Sequence, residues 1–110
     1  MTIDEYQQEA LRTAATTTKE EFLINGVMGL NGEAGECIDI VKKHIFQKHP
    51  LDATKLAKEL GDVAWYLAVT AHAIDLPLSA ILEGNVQKLR ARYPEGFDQT
   101  RSVNRQPGDI

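Results

Sequence analysis

Apolar residues recur every three or four positions along most of this chain, the spacing of amphipathic α-helices rather than of strands. The first helix is expected to begin at Thr2, because Thr2 and Glu5 have the spacing of a capping box. The helical pattern weakens at the β-branched run Thr16 to Thr18, where we expect a junction, and proline-containing stretches interrupt it twice more. The pattern predicts three further helices, over residues 19–47, 53–74 and 78–93, and no strand.

The predicted fold is all-α, a four-helix unit forming a single domain over residues 1–98. Residues 99–110 contain glycine, proline and polar side chains with little to bury, so we expect an extended or mobile C-terminal tail. The third predicted helix is apolar almost all round, which is more than a lone four-helix unit readily covers. We therefore expect these units to assemble into an oligomeric helical bundle.

Composition narrows the range of functions. The 110 residues carry a formal net charge of −4, which argues against binding to duplex nucleic acid. The longest mostly apolar run, residues 63–74, is too short to cross a bilayer, so no membrane role is expected. One cysteine, Cys37, excludes an internal disulfide, and no secretion signal is visible at the N-terminus. The expected location is the cytoplasm.

Four glycines recur at three-residue intervals within the second predicted helix: Gly26, Gly29, Gly32 and Gly35. Each costs about 1 kcal/mol of helix preference relative to alanine. A nucleotide-phosphate loop does not explain them, because no lysine follows the last glycine and no strand precedes the first. In a helix they leave a smooth flank that another backbone or a ligand can approach closely, and close helix packing alone is the simpler alternative.

Two pairs of acidic residues accompany the glycines. Glu33 and Glu36 lie three positions apart on the second helix, and Glu59 and Asp62 repeat that spacing on the third. Exposed acid pairs are commonly just solvated, but these lie within or beside apolar stretches, so we expect them to face inward. Clustered carboxylates repel one another unless a cation lies among them. An all-oxygen set suits Mg²⁺, with Mn²⁺ as a substitute, better than zinc, and it lacks the Glu-x-x-His pairs of di-iron bundles.

These residues resemble the MazG-type all-α nucleotide pyrophosphohydrolases, especially their short single-domain members. The family pattern is Glu-x-x-Glu, a spacer and Glu-x-x-Asp, which here reads "EAGE", 22 residues and "ELGD". The stretches "GLNGEAGE", "DVAWYLA" and "NVQKLRARYPEGF" are also similar to the family, so the resemblance covers roughly residues 20–98.

The resemblance implies an enzyme that hydrolyses a nucleoside triphosphate between the α and β phosphates, in the cleaning of nucleotide pools. Glu33, Glu36, Glu59 and Asp62 would be its catalytic metal ligands, and which of them orients the attacking water is left open. The resemblance also implies a homodimer, or a tetramer of two dimers, whose neighbouring subunits complete each pocket.

Substrate contacts are implied on the third and fourth helices. Tyr66 would pack on the sugar or base, whereas its neighbour Trp65 could equally be a core residue. Asn85, Lys88 and Arg92 share one face of the fourth helix and would contact the phosphates.

Two rival functions remain open. A non-catalytic helical oligomerisation module could use the acid cluster to bind a structural ion. A related enzyme could act on a narrower substrate, such as dUTP or a phosphorylated metabolite of histidine synthesis. The base, the sugar and the number of metal ions are not fixed by the sequence.

Overall fold

The structure, a computed structural model, describes residues 1–15 and 18–110. The described part contains no strand and five α-helices: α1 (Ile3–Arg12), α2 (Lys19–Phe46), α3 (Ala53–Ala73), α4 (Leu78–Arg92) and α5 (Gln99–Val103). The all-α prediction is confirmed, and the ends of α2, α3 and α4 lie within one residue of those expected. The expected junction includes Thr16 and Thr17, which lie outside the described residues.

No single helix of the described part is long and apolar enough to span a membrane. Only α3 and α4 taken together as a bent pair pass such a test, and they do so by length and composition alone.

Polar side chains close the N-termini of the first three helices. The Oγ1 of Thr2 accepts from the backbone N–H of Glu5 at 3.1 Å, and the Glu5 carboxylate accepts from the Thr2 N–H at 3.2 Å, which confirms the capping box. Thr18 caps α2, and Asp52 caps α3 by accepting from the N–H of Lys55 at 3.0 Å. Local side-chain chemistry therefore fixes where each helix begins.

The chain divides into two compact units, Met1–Leu78 and Ser79–Ile110. The core of the first unit is formed where α1 and α2 pack on α3. Ala68 is 0% exposed and Ala71 1% exposed, and Ala10 of α1 packs against them. These small side chains let the helices approach closely. The expected extent of one domain over residues 1–98 stays a prediction.

A buried glutamine of α1 binds main-chain groups of α3, of the loop that follows α3 and of the first residue of α4. The Nε2 of Gln7 donates to the carbonyl oxygens of Ala68 at 3.1 Å and Leu76 at 3.3 Å. Its Oε1 accepts from the N–H of Leu78 at 3.1 Å. Gln7 is only 4% exposed, so its amide satisfies main-chain groups that water cannot reach.

The glycines of α2 fall into two pairs with different surroundings. A Cβ atom on Gly26 would overlap the Oγ1 of Thr70, and one on Gly29 would overlap the ring of Tyr66. At Gly32 and Gly35 a Cβ would meet nothing within 4 Å. The first pair therefore allows α3 to pack closely, whereas the second pair leaves an open flank.

The second unit contains most of α4, then α5 and the residues that follow. Residues 99–103 form α5, capped by Asp98, whose carboxylate accepts from the N–H groups of Thr100 and Arg101. This helix differs from the extended or mobile tail expected for residues 99–110. The segment is short of apolar residues, but the Asp98 cap satisfies the first free N–H groups of the helix. An ion pair also joins Asp109 to Arg92 of α4.

Candidate metal centre

Three carboxylates from two adjacent helices meet in the first unit. Glu33 projects from α2, and Glu59 and Asp62 project from α3. One oxygen of each lies within 4.8 Å of the other two. The close packing of Tyr66 over Gly29, one turn away on each helix, brings the two acidic segments to this distance.

Partial burial and mutual repulsion disfavour full ionisation of the trio. A hydrogen bond with Glu59 raises the pKa of Glu33, and partial burial raises it further. The charges of Asp62, Glu59 and Glu36 act in the same direction. Without a cation, Glu33 therefore holds its proton to a higher pH than an ordinary glutamate does.

The fourth predicted ligand, Glu36, does not belong to this trio. Its side chain is exposed, although its charge contributes to the raised pKa of Glu33. Asp62 is also exposed, whereas Glu33 and Glu59 are half-buried. The expectation that all four acids face inward is therefore wrong for Glu36 and Asp62. Glu36 lies beside Gly32 and Gly35 on α2, where a Cβ atom would meet nothing within 4 Å.

The donor set fits a hard divalent cation. All three candidate ligand atoms are carboxylate oxygens, which Mg²⁺ and Mn²⁺ prefer. A cation among them would oppose the repulsion that gives Glu33 its raised pKa. The exposed side of the trio leaves space for further oxygen ligands from water or substrate, which Mg²⁺ ordinarily requires.

Two aromatic residues, Trp65 and Tyr66, lie one helical turn beyond Asp62 on α3. The half-buried ring of Tyr66 packs against Gly29 and meets Trp65 edge-to-face, with centroids 4.9 Å apart. Trp65 packs on the core and donates from Nε1 to the Oγ1 of Thr13 at 2.9 Å. Trp65 is thus a core residue, one of the two alternatives left open, and contact of Tyr66 with a sugar or base stays a prediction.

Sequence reasoning missed Tyr6 of α1. Burial raises the pKa of its phenol, and the negative charge of Asp62 raises it further. Tyr6 therefore interacts electrostatically with the acid cluster. The only sequence signal was its place in the apolar stripe of α1, which does not reveal a neighbour more than fifty positions away.

The predicted phosphate contacts lie on α4 in the second unit. Asn85 is exposed, and the Nζ of Lys88 donates to the main-chain oxygen of Ile110 at 2.7 Å. Arg92 donates from Nε and Nη2 to the two carboxylate oxygens of Asp109 at 2.7 and 2.5 Å. Lys88 and Arg92 therefore already bind oxygen acceptors of residues 109 and 110.

The fold and the trio together define a class: an all-α protein with a candidate divalent-cation centre made of carboxylates on adjacent helices. The MazG nucleotide pyrophosphohydrolase domain matches residues 25–97, and this chain belongs to that family. The family implies a pyrophosphohydrolase.

A relative with a known sequence is similar over nearly the whole chain. It is the "Gene 37 protein" of Mycobacterium phage L5, which is 37% identical over 114 residues. The match covers 96% of this chain and 100% of the phage protein. No solved structure shows a significant match to this chain.

Proposed function

We propose that this protein is a Mg²⁺-dependent nucleoside triphosphate pyrophosphohydrolase that cleaves between the α and β phosphates. The observation that carries the proposal is the carboxylate trio of Glu33, Glu59 and Asp62 within a chain of the MazG family. Cleavage adds one water across the phosphoanhydride bond, so the products are a nucleoside monophosphate and pyrophosphate. Both deoxy- and ribonucleotides are candidate substrates, and nucleotide-pool cleaning is the proposed role.

In this proposal the trio and Glu36 hold the metal. A bound Mg²⁺ would neutralise phosphate charge and lower the pKa of a coordinated water. Only the ionised form of Glu33 is a good metal ligand, so cation binding should strengthen as the pH rises through the raised pKa of Glu33. One carboxylate that is not fully engaged by the cation could orient the attacking water.

Substrate binding is assigned to residues on α3 and α4. Asn85, Lys88 and Arg92 supply a neutral donor and two cations at helical spacing on α4, which matches the charge of a phosphate chain. Tyr66 offers an aromatic edge beside the trio for the sugar or base. The resemblance to the family supports both assignments.

We also propose that the protein is a homo-oligomer, a dimer or a tetramer. Large apolar side chains along α2 are exposed, which is unusual for a stable monomer. The exposed set is Leu23, Ile24, Val27, Met28, Ile38, Val41, Ile45 and Phe46.

The test is release of pyrophosphate from a panel of canonical and modified nucleoside triphosphates, with Mg²⁺, with Mn²⁺ and with EDTA. We expect metal-dependent formation of monophosphate and pyrophosphate in equal amounts. Asp62→Asn should remove that activity, and Glu20→Gln, which neutralises an exposed acid at the start of α2, should retain it. A folded protein that turns over no nucleotide would contradict the proposal and favour the metabolite substrate or the non-catalytic module.

A further inference from the structure

The second unit contains a basic pocket of about 220 Å³ between α4 and the residues that follow it. Lys88 and Arg92 of α4 line one side, and Arg101 and Arg105 line the other. One acidic side chain, Asp109, lies among these cations. The pocket lining therefore has four cationic side chains and a single carboxylate.

The Asp109 carboxylate binds within this pocket as an anionic ligand would. It accepts two hydrogen bonds from the guanidinium of Arg92, in the forked geometry that arginine also uses for phosphate. The side chains of Arg92 and Asp109 are only 11% and 16% exposed, so the pair is shielded from solvent. The main-chain oxygen of Ile110 adds an acceptor to both Lys88 and Arg92.

The carboxylate leaves much of the positive charge uncompensated. The structure shows no ion pair for Arg101 or Arg105 within the described residues, although the charge of Arg105 contributes to a lowered pKa of Asp109. The main cause of that lowered pKa is the hydrogen bond to Arg92. A ligand with several negative charges would satisfy these cations better than one aspartate does.

We propose that this pocket binds a phosphate chain, and that the Asp109 carboxylate acts as an internal anion which the phosphate chain displaces. The pocket is smaller than the roughly 300–1,000 Å³ of sites for drug-sized ligands, so it suits the phosphates of a nucleotide rather than the nucleoside. Two sources carry this chemistry, the triphosphate of the substrate and the pyrophosphate product. The choice between the substrate and the product as the source of the phosphate chain rests on the proposed function.

Binding is tested with inorganic tripolyphosphate by calorimetry in EDTA, so that neither metal binding nor turnover contributes. Asp109→Asn keeps the side-chain size but removes the competing charge, and it should tighten binding roughly tenfold. Asp109→Glu should bind as the wild type does. Glu83→Gln, which removes an equal charge from an exposed position on α4, is the matched control and should change nothing.

The opposite variants test the cations. Arg101→Gln combined with Arg105→Gln should weaken tripolyphosphate binding roughly tenfold. In the proposal these two side chains bind the phosphates that lie beyond the position of the Asp109 carboxylate. Affinities of Asp109→Asn and of this double variant within twofold of the wild type would overturn the proposal. Sulfate binding as tightly as tripolyphosphate at equal ionic strength would overturn the assignment to a phosphate chain.

A spectroscopic measurement keeps the test independent of variant folding. The Nε–H of Arg92 donates to Asp109, so its NMR resonance should shift when wild-type protein is titrated with tripolyphosphate. An Arg92 resonance that does not shift at saturating tripolyphosphate would overturn the proposed displacement of Asp109.

Turnover measured separately distinguishes this inference from the proposed function. A lowered Michaelis constant for the nucleotide in Asp109→Asn would show that the pocket binds the phosphates of the substrate. A change confined to inhibition by pyrophosphate would show that the pocket binds the product. An active enzyme without the expected effects on tripolyphosphate binding would contradict the phosphate-binding pocket and leave the proposed enzymatic function intact. The expected tripolyphosphate effects in a protein without turnover would defeat only the pyrophosphohydrolase.

Discussion

The carboxylates of the trio act unfavourably on one another in the metal-free chain. Glu33 shares a hydrogen bond with Glu59 and lies in the field of Asp62, and these contacts raise its pKa. A group with a raised pKa stabilises the fold fully below its ordinary pKa, and that contribution is lost as the pH rises through the raised value. At neutral pH the metal-free centre should therefore be a source of instability.

Glu33→Gln should remove this pH-dependent loss. In EDTA, the melting temperature of the wild type should fall more than that of the variant as the pH rises from 4.5, the ordinary pKa of this group, through its raised pKa. Added Mg²⁺ should raise the wild-type melting temperature at the higher pH and leave the variant nearly unchanged. Differential scanning calorimetry of both proteins, with Glu20→Gln as the control, makes the comparison. Parallel melting profiles would show that Glu33 does not titrate in the way the contacts indicate.

Asp62→Asn and Glu36→Gln should each abolish turnover while the fold is retained, because each removes ligand charge with little change in size. Loss of an outer-shell partner typically costs 10–100-fold, so loss of a direct ligand should cost at least about 100-fold in kcat/KM. Initial rates and circular dichroism check the two effects. Because Glu36 lies outside the trio, full activity in Glu36→Gln alone would restrict the centre to three ligands. Full activity in both variants would contradict the site assignment.

The helices themselves were largely predictable because their signals are local. The cap residues Thr2 and Asp52 lie within three positions of the N–H groups that they satisfy. The acid pairs were found for the same reason, but the exposure of Glu36 was not, since it depends on what covers the helix flank. Gln7 was missed because its partners are 61 to 71 positions away. The helix α5 was missed although its cap, Asp98, is local, because it is only five residues long and has no apolar stripe.

The α2–α3 packing predicts opposite effects of alanine at two glycines of one helix. Gly26→Ala should destabilise the protein by about 1–2 kcal/mol, because the overlap with Thr70 outweighs the gain in helix preference. Gly32→Ala meets nothing within 4 Å and should stabilise by up to about 1 kcal/mol. Urea unfolding of both variants measures the two values. Equal effects would show that Gly26 is not under steric constraint from α3.

The buried amide of Gln7 should contribute more to the free energy of unfolding than any exposed polar side chain of α1. Gln7→Leu removes the acceptor of the Leu78 N–H and the donor to two carbonyl groups, and we expect a loss of at least about 1–3 kcal/mol. Gln8→Leu is the matched control, since Gln8 is the exposed neighbour on the same helix. Unfolding midpoints in urea give the difference. Similar midpoints for both variants would mean that relaxation or water satisfies the freed groups.

At the scale of the whole molecule, the exposed apolar surface of α2 is the feature that a single chain leaves unexplained. Ile38, Ile45 and Phe46 are 68%, 61% and 79% exposed and lie on one stretch of the helix. Together with Cys37, Val41 and Lys42 they line a groove of about 390 Å³. Covering such a surface would stabilise an oligomer by removing apolar area from water.

Ile38→Asp combined with Ile45→Asp should therefore dissociate the proposed homo-oligomer. Burial of an isoleucine contributes about 1.5–3 kcal/mol, so the double change should weaken self-association by at least about 100-fold. Light scattering after size-exclusion chromatography gives the mass of each species. The control is Val103→Asp, which places the same charge on an exposed valine of α5, 81% exposed and outside the groove. An unchanged oligomer in the double variant would place the interface elsewhere, and a wild type of monomer mass would contradict oligomerisation itself. If subunits also complete each other's pockets, the double variant should lose turnover with its partner, whereas Val103→Asp should retain both.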